Sequence, residues 1–299
     1  YMSEEISYKQ VRQEVEQFLS YNKGHSFTSD HIDKQFNYGS REAKRYRWQV
    51  LDELVGKGVL ELAGTGKYRY PDNELETIDW QQSDVEDVIQ VKWPLGFERY
   101  IKTYHQSINM IAGCPGAGKT SFLYEFVLRN MNNPMGVVLF TNDMSPEEIK
   151  ERFLNSGIEI PNPPPWQTFS RQDNFGDVIQ PDMINVIDYL DLNSEFYLIG
   201  AEIEKIYRKL RRGIAVVAIQ KRPGQDIGVG GLPSWKRAKL YFALDTLKDQ
   251  DGLYHKIKVV KARGRVNPLV NPVGLEFQCK LVGGIKFVPR SKPQVDLPK

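Results

Sequence analysis

Gly113-Cys114-Pro115-Gly116-Ala117-Gly118-Lys119-Thr120 has the form G-x-x-x-x-G-K-[ST] and stands between two runs that give it a local fold. Residues 107–112 before it are apolar and β-prone, and residues 121–129 after it repeat apolar positions at helical spacing. Strand, loop and helix therefore follow one another, and the loop sits at a helix N-terminus. Glycines there let the main chain approach an anion closely, successive N–H groups form a concavity, and the helix dipole favours negative charge. The other reading of such a motif is a glycine-rich turn that binds nothing, and the flanking strand and helix argue against it. Residues 113–121, from Gly113 to Ser121, are expected to cradle the phosphates of ATP, with Lys119 reaching the β- and γ-phosphates and Thr120 offering its hydroxyl to Mg²⁺.

The chain has 299 residues, enough for two domains of ordinary size, and a 40% apolar content sufficient for real cores. A net charge of +2 sets up no global field toward nucleic acid, so a basic surface has to be sought locally. Two cysteines, Cys114 and Cys279, leave no disulfide framework and no cysteine-based zinc site. Without a signal peptide or an apolar run near membrane-spanning length, a soluble, cytoplasmic protein with no membrane partner is expected.

Outward from the loop toward the N-terminus, residues 7–20 carry an apolar helical stripe, a short helix is expected after Thr28-Ser29-Asp30, whose side chains suit an N-cap, and residues 40–55 fit a third helix capped by Ser40. Residues 59–62 and 67–70 form two short strands around the turn Ala63-Gly64-Thr65-Gly66. Three helices and a hairpin at 2–72 predict a winged helix-turn-helix, whose third helix enters the DNA major groove while the hairpin touches the backbone. Arg41, Lys44 and Arg45 share one face of that helix, and Lys67 adds charge from the wing. Protein docking and plain solvation are the other readings of those cations. Residues 73–91 are acidic and read as a linker, after which a helix is expected from about 93 to 104.

From 92 to 290, strands and helices alternate and then give way to a run of strands. The fold class is α/β, with a mostly parallel sheet and an antiparallel extension; residues 291–299 form a tail. Asp143 follows the strand at 136–141 and is placed to orient an attacking water. Asp188 ends the next strand directly after Val186-Ile187, a Walker B pattern, and is the acid expected to support Mg²⁺ in preference to Asp191. Gln220 ends the strand at 214–219, where an amide can sense a γ-phosphate. Residues 157–182 read mostly as loop. The glycine-rich stretch 223–231, followed by Lys236 and Arg237, suits either a nucleic-acid-facing loop in a ring or an ordinary disordered loop. Lys261 and Arg263 leave a late strand, as cations reaching a neighbouring subunit's nucleotide or as solvated strand-end charge.

In this order and spacing, residues 138–144 with the helix that follows, residues 186–190, Ala218-Ile219-Gln220 and Lys261-Ala262-Arg263 make positions 94–289 resemble the ATPase core of DnaB-type replicative helicases, within the RecA-like superfamily. The resemblance implies a RecA-like P-loop fold and Mg²⁺-dependent ATP hydrolysis. Asp143 then matches the catalytic carboxylate, where the family usually has glutamate, and Asp188 the magnesium acid. Gln220 matches the γ-phosphate-linked glutamine, and Lys261 and Arg263 the pair donated across a subunit boundary. A homo-oligomer, ring or filament, acting on DNA is the implied assembly: duplex at the winged helix, single strand at the core. An ATP-switched DNA-binding regulator that does not unwind, and a strand-exchange protein, are the alternatives.

Overall fold

Helix caps and apolar stripes set the first elements. In the computed structural model, which describes residues 6–73, 75, 77–190 and 199–293, α1 (Tyr8–Tyr21) begins where the Ser7 side chain accepts from Gln10 N. It buries Val11, Val15 and Leu19. After β1 (Ser26–Thr28) and α2 (Ser29–Phe36), α3 (Arg41–Gly56) starts at Ser40, whose side chain accepts from Ala43 N. The hairpin β2 (Glu61–Gly64) and β3 (Lys67–Arg69) follows, and β3 pairs antiparallel with both β1 and β2. Strand β1 was not expected. It is only three residues long and sits where the capping residues of α2 dominate the pattern. These elements share a core around Phe27, Ile32 and Leu51, and belong to the first of two compact units, Tyr1–Gln82 and Ser83–Lys299.

The second unit is built on a nine-stranded sheet. Its parallel part comprises β4 (Ser107–Gly113), β5 (Val137–Thr141), β6 (Trp166–Ser170), β7 (Ile184–Asp188), β8 (Ile214–Gln220) and β9 (Ala238–Asp249). Antiparallel strands β10 (Gly252–Ala262), β11 (Glu276–Val282) and β12 (Lys286–Pro289) extend it. The order is β12-β11-β10-β9-β4-β8-β7-β5-β6, which puts the strand of the phosphate loop near the middle. Helices α4 (Lys119–Arg129), α5 (Pro146–Leu154), α6 (Ile199–Lys209) and α7 (Leu232–Arg237) complete it. Central strands β4, β5 and β7 are buried along their whole length, as strands covered on both faces must be.

Several stretches differ from expectation. Residues 166–170, expected to be loop, form edge strand β6 parallel to β5. Only Trp166 of that strand is buried, so no apolar run advertises it. Residues 93–104 are not a helix. Two 3₁₀ turns span Pro94–Arg99, Leu95 and Gly96 take left-handed φ values of 60° and 75°, and Thr103 bridges Ile89. Packing outweighs helix geometry here: Trp93 lies 4.5 Å from the Phe126 ring and Phe97 4.8 Å from that of Phe242. The stretch read as linker gives Ile89 and Val91 to the same core. Its acids find basic partners, Glu86 with Lys102 at 2.9 Å and Asp87 with Arg212 at 2.9 Å.

Nor is the glycine-rich stretch a loose loop. Lys221 Nζ donates to Gln225 O at 2.8 Å, Gly228 N donates to the Tyr241 hydroxyl at 2.8 Å, and Asp226 pairs with Lys258 at 2.9 Å. Among the described residues no helix is long and apolar enough to cross a membrane.

One buried charge ties α4 to the far edge of the sheet. Glu125 is 4% exposed; it accepts from the Phe287 N–H at 2.8 Å and from Arg129 at 2.6 Å. Replacing it with leucine strands the Phe287 N–H. Glu125→Leu is therefore expected to lower unfolding free energy by about 1–3 kcal/mol in urea titrations, and unchanged stability would show that the bond contributes nothing net.

Candidate functional site

The phosphate loop is shaped by two glycines in conformations that side chains resist. Gly116 has φ 73° and Gly118, at the N-cap of α4, has φ 90°. A Cβ on Gly118 would also come within 3.0 Å of the Phe287 ring. Beyond them α4 is buried from Ser121 to Leu128, so its N-terminal N–H groups are the part that faces solvent. Lys119 turns back over the loop and donates to Gly113 O at 3.0 Å and Cys114 O at 3.1 Å. Burial pushes its ammonium below the ordinary lysine pKa, while Asp188, the Cys114 thiol and Asp143 pull the other way.

Beneath the loop lies the acid from β7. Asp188 is 1% exposed, and its Oδ1 accepts from the Thr120 hydroxyl at 3.1 Å. Its Oδ2 is buried and has no hydrogen-bond partner among the described residues. Burial pushes this carboxyl up to about 6; Asp143 adds to the rise, while the Thr120 bond and Lys119 oppose it. A hydroxyl, a carboxylate oxygen already on that hydroxyl, and a second oxygen lacking a donor form an oxygen-only set that fits Mg²⁺ with part of its water shell.

A cleft of about 410 Å³ opens over the loop, lined by Lys119, Thr120, Asp143, Arg152 and Gln220 among others. Register explains the gathering. Thr141 pairs with Asp188 and Gly113 with Gln220, so parallel neighbours deliver their C-terminal residues to one rim. Asp143 stands exposed two residues past β5. Arg152 was not singled out from the sequence. The capping box of Ser145 and Glu148 fixes the start of α5, and thereby which side of the helix residue 152 occupies. Its guanidinium donates to Ser121 Oγ and Gly284 O, each at 3.4 Å. The β11–β12 turn supplies Gly284, which also accepts from Ser121 at 2.7 Å.

Lys261 and Arg263 are not brought to this cleft. Ala262 pairs with Leu240, which pairs with Asn109, so the end of β10 lies level with the start of β4. That is about 13 Å of strand from the phosphate loop. Arg263 is exposed. Lys261 donates to Trp235 O at 2.6 Å and lies over the Trp235 ring, and burial, with Arg263 adding repulsion, lowers its pKa to about 8. Asp191 lies outside the described residues.

In the first unit, Arg41, Lys44 and Arg45 are exposed on α3 beside Trp48, itself 56% exposed, and Lys67 is exposed on β3. Glu42 pairs with Arg45 at 3.4 Å and Asp33 with Lys44 at 3.9 Å. On α7, Lys236 is exposed, while Arg237 is held by Glu204 at 2.7 Å and lies over Tyr207.

No protein-family model matches the chain, and no curated protein does. Among solved structures it is similar to a KaiC-like protein, PH0186, from the hyperthermophilic archaeon Pyrococcus horikoshii OT3. The match has 13% identity and a TM-score of 0.51, and covers 68% of this chain and 99% of that one. At that identity the likeness speaks for the fold alone. The fold is α/β with a RecA-like P-loop core and a large, mostly parallel sheet. The likeness supports that core and does not single out the DnaB-type branch.

The raised Asp188 pKa has a sign that can be measured. A carboxyl whose folded pKa lies above its unfolded value of 3.8 binds protons more readily when folded. It therefore weakens the metal-free fold above about pH 6, and the penalty fades as pH falls toward about 4. Asp188→Asn is expected to stabilise the metal-free protein at pH 8 by roughly 1–3 kcal/mol and to flatten the stability–pH profile between those values. Urea unfolding across that range checks it, and equal stability of the two proteins at pH 8 would contradict the buried, ionised carboxylate.

Proposed function

We propose that this chain is a Mg²⁺-dependent ATPase that acts on DNA as a helicase-like motor and works as a homo-oligomer. The observation that carries the reading is the buried Asp188 carboxylate bonded to Thr120 directly under a glycine-shaped phosphate loop. Thr120 and Asp188 would hold the Mg²⁺, which when bound neutralises phosphate charge and polarises the scissile bond. Lys119 exchanges its carbonyl contacts for the β- and γ-phosphates, while the N–H groups of Gly116, Gly118, Lys119 and Thr120 bind phosphate oxygens. Asp143 orients the attacking water. Gln220 senses the γ-phosphate, and Arg152 extends the positive lining of the cleft.

The end of β10 is remote from this chain's own loop, so any action of Lys261 and Arg263 on nucleotide has to be on another subunit's. That favours assembly into a ring or filament. Arg41, Lys44, Arg45 and Lys67 offer phosphate contacts from a winged-helix module at 2–72, joined through the residues after 72 to the unit that begins at Ser83. Lys236 and Arg237 beside the glycine-rich turn offer contacts to a single strand.

Hydrolysis measured with and without single-stranded DNA tests the proposal. The parent is expected to be stimulated and to separate strands, and Lys119→Ala to lose at least about a hundredfold in rate. Mixing Arg263→Ala with Lys119→Ala protein is expected to restore part of the activity, because each supplies what the other lacks. ATP-dependent assembly with negligible turnover would replace the motor by an ATP-switched regulator. Absence of rescue in subunits shown to exchange would remove the trans role of Arg263.

A further inference from the structure

The phosphate loop keeps its shape through its carbonyls: Cys114 O accepts from Ala117 N at 3.1 Å and Gly113 O from Lys221 N at 3.2 Å, and side chains add to these main-chain bonds. Four carbonyls find side chains. Lys119 serves Gly113 O and Cys114 O from inside the loop. From the sheet behind come two residues that no sequence pattern marks. The Thr246 hydroxyl donates to Gly116 O at 3.2 Å, and His255 Nδ1 lies 3.2 Å from Ala117 O. Thr246 ends no motif, and His255 stands just before the apolar run of β10.

The protonation of His255 follows from its surroundings. Ala117 O can only accept, and Thr246 has spent its hydroxyl proton on Gly116 O, so Nδ1 carries the hydrogen; Thr246 Oγ1, 3.3 Å away, shares it as a second acceptor. Burial lowers the pKa of the ring, and the Ala117 bond opposes the shift. The ring is fixed from the other side by an edge-on contact with Phe287 at 5.7 Å, the same phenyl ring that closes on Gly118.

We infer that Thr246 and His255 are positioning residues for phosphate binding, clamping the carbonyls of Gly116 and Ala117 so that the loop keeps its receptive shape. This rests on the nucleotide-site reading above and deepens it. The consequence is sharpest when nucleotide binds. Lys119 then leaves Gly113 O and Cys114 O for the phosphates, and of the four side-chain contacts those from Thr246 and His255 remain. Holding the loop beforehand lowers the ordering cost of binding.

The test compares full-length parent, Thr246→Val, Thr246→Ser, His255→Leu and His255→Asn proteins by amide hydrogen exchange across residues 114–120 without nucleotide, and by titration with Mg²⁺·ATP. Valine keeps the shape of threonine without its donor, while serine and asparagine keep a donor near the original atom. Exchange about three- to tenfold faster, and ATP affinity weaker by a similar factor, are expected for Thr246→Val and His255→Leu, with recovery in Thr246→Ser and His255→Asn. Unchanged exchange in Thr246→Val and His255→Leu would overturn the inference. So would equal loosening in all four variants, which would mean packing rather than hydrogen bonding. Failure of the nucleotide-site reading looks different: parent and Lys119→Ala would take up Mg²⁺·ATP alike, while exchange still reports on the clamp.

Discussion

A helix buried along nearly its whole length can offer a ligand little but its end. Helix α4 is enclosed from Ser121 to Leu128, between the sheet and the antiparallel edge, and this confinement governs the site. Its first N–H groups and its dipole have one outlet, the loop after β4, and that loop has to curl tightly enough to leave them accessible. Glycine at 116 and 118 is what the curl demands, and the close approach of Phe287 to Gly118 crowds any larger residue there. Lys119, Thr120, Asp143, Arg152 and Gln220 line the cleft at that outlet, and Asp188 lies beneath it, bonded to Thr120.

The parallel and antiparallel parts of the sheet divide the work. Parallel strands β4, β7 and β8 deliver the loop, Asp188 and Gln220 to one rim because their register aligns their C-terminal ends. The antiparallel strands wrap behind it: Phe287 N bonds to Glu125 of α4, and Gly284 accepts from Ser121 at the start of the same helix. A half-buried pair, Lys221 with Asp245, ties the end of β8 to β9 beside the loop, and Lys221 N also donates to Gly113 O. Such a pair gives little net stability once desolvation is counted, but it fixes the geometry of the strand end that carries Gln220. The glycine-rich turn is anchored to the same lysine, so movement of Gln220 would be felt there.

The central strands were readable in the sequence because both of their faces are covered, which leaves continuous apolar runs at 107–112, 137–141, 184–188 and 214–219. The phosphate loop was readable because its glycines are set by backbone conformation rather than by distant contacts. Helix α3 began right after Ser40, the serine at the head of its pattern. What escaped notice lacks a local signature. Strand β6 exposes most of its side chains, and residues 93–99 follow aromatic packing against helical expectation. Arg152 reaches the cleft through the rotational setting of α5, and Thr246 and His255 do so through cross-strand register. Lys261 and Arg263 could be spotted as strand-end cations, but only the sheet register reveals that they stand at the opposite end from their own loop.

In the proposed reading, a triphosphate with its magnesium is held by the main chain at the start of α4. Calorimetric titration of Mg²⁺·ATP into the parent and Lys119→Ala proteins tests it most directly. Saturable binding by the parent and its loss in Lys119→Ala, with the two unfolding at the same temperature, are expected. A parent protein that takes up no Mg²⁺·ATP at millimolar concentration would contradict it.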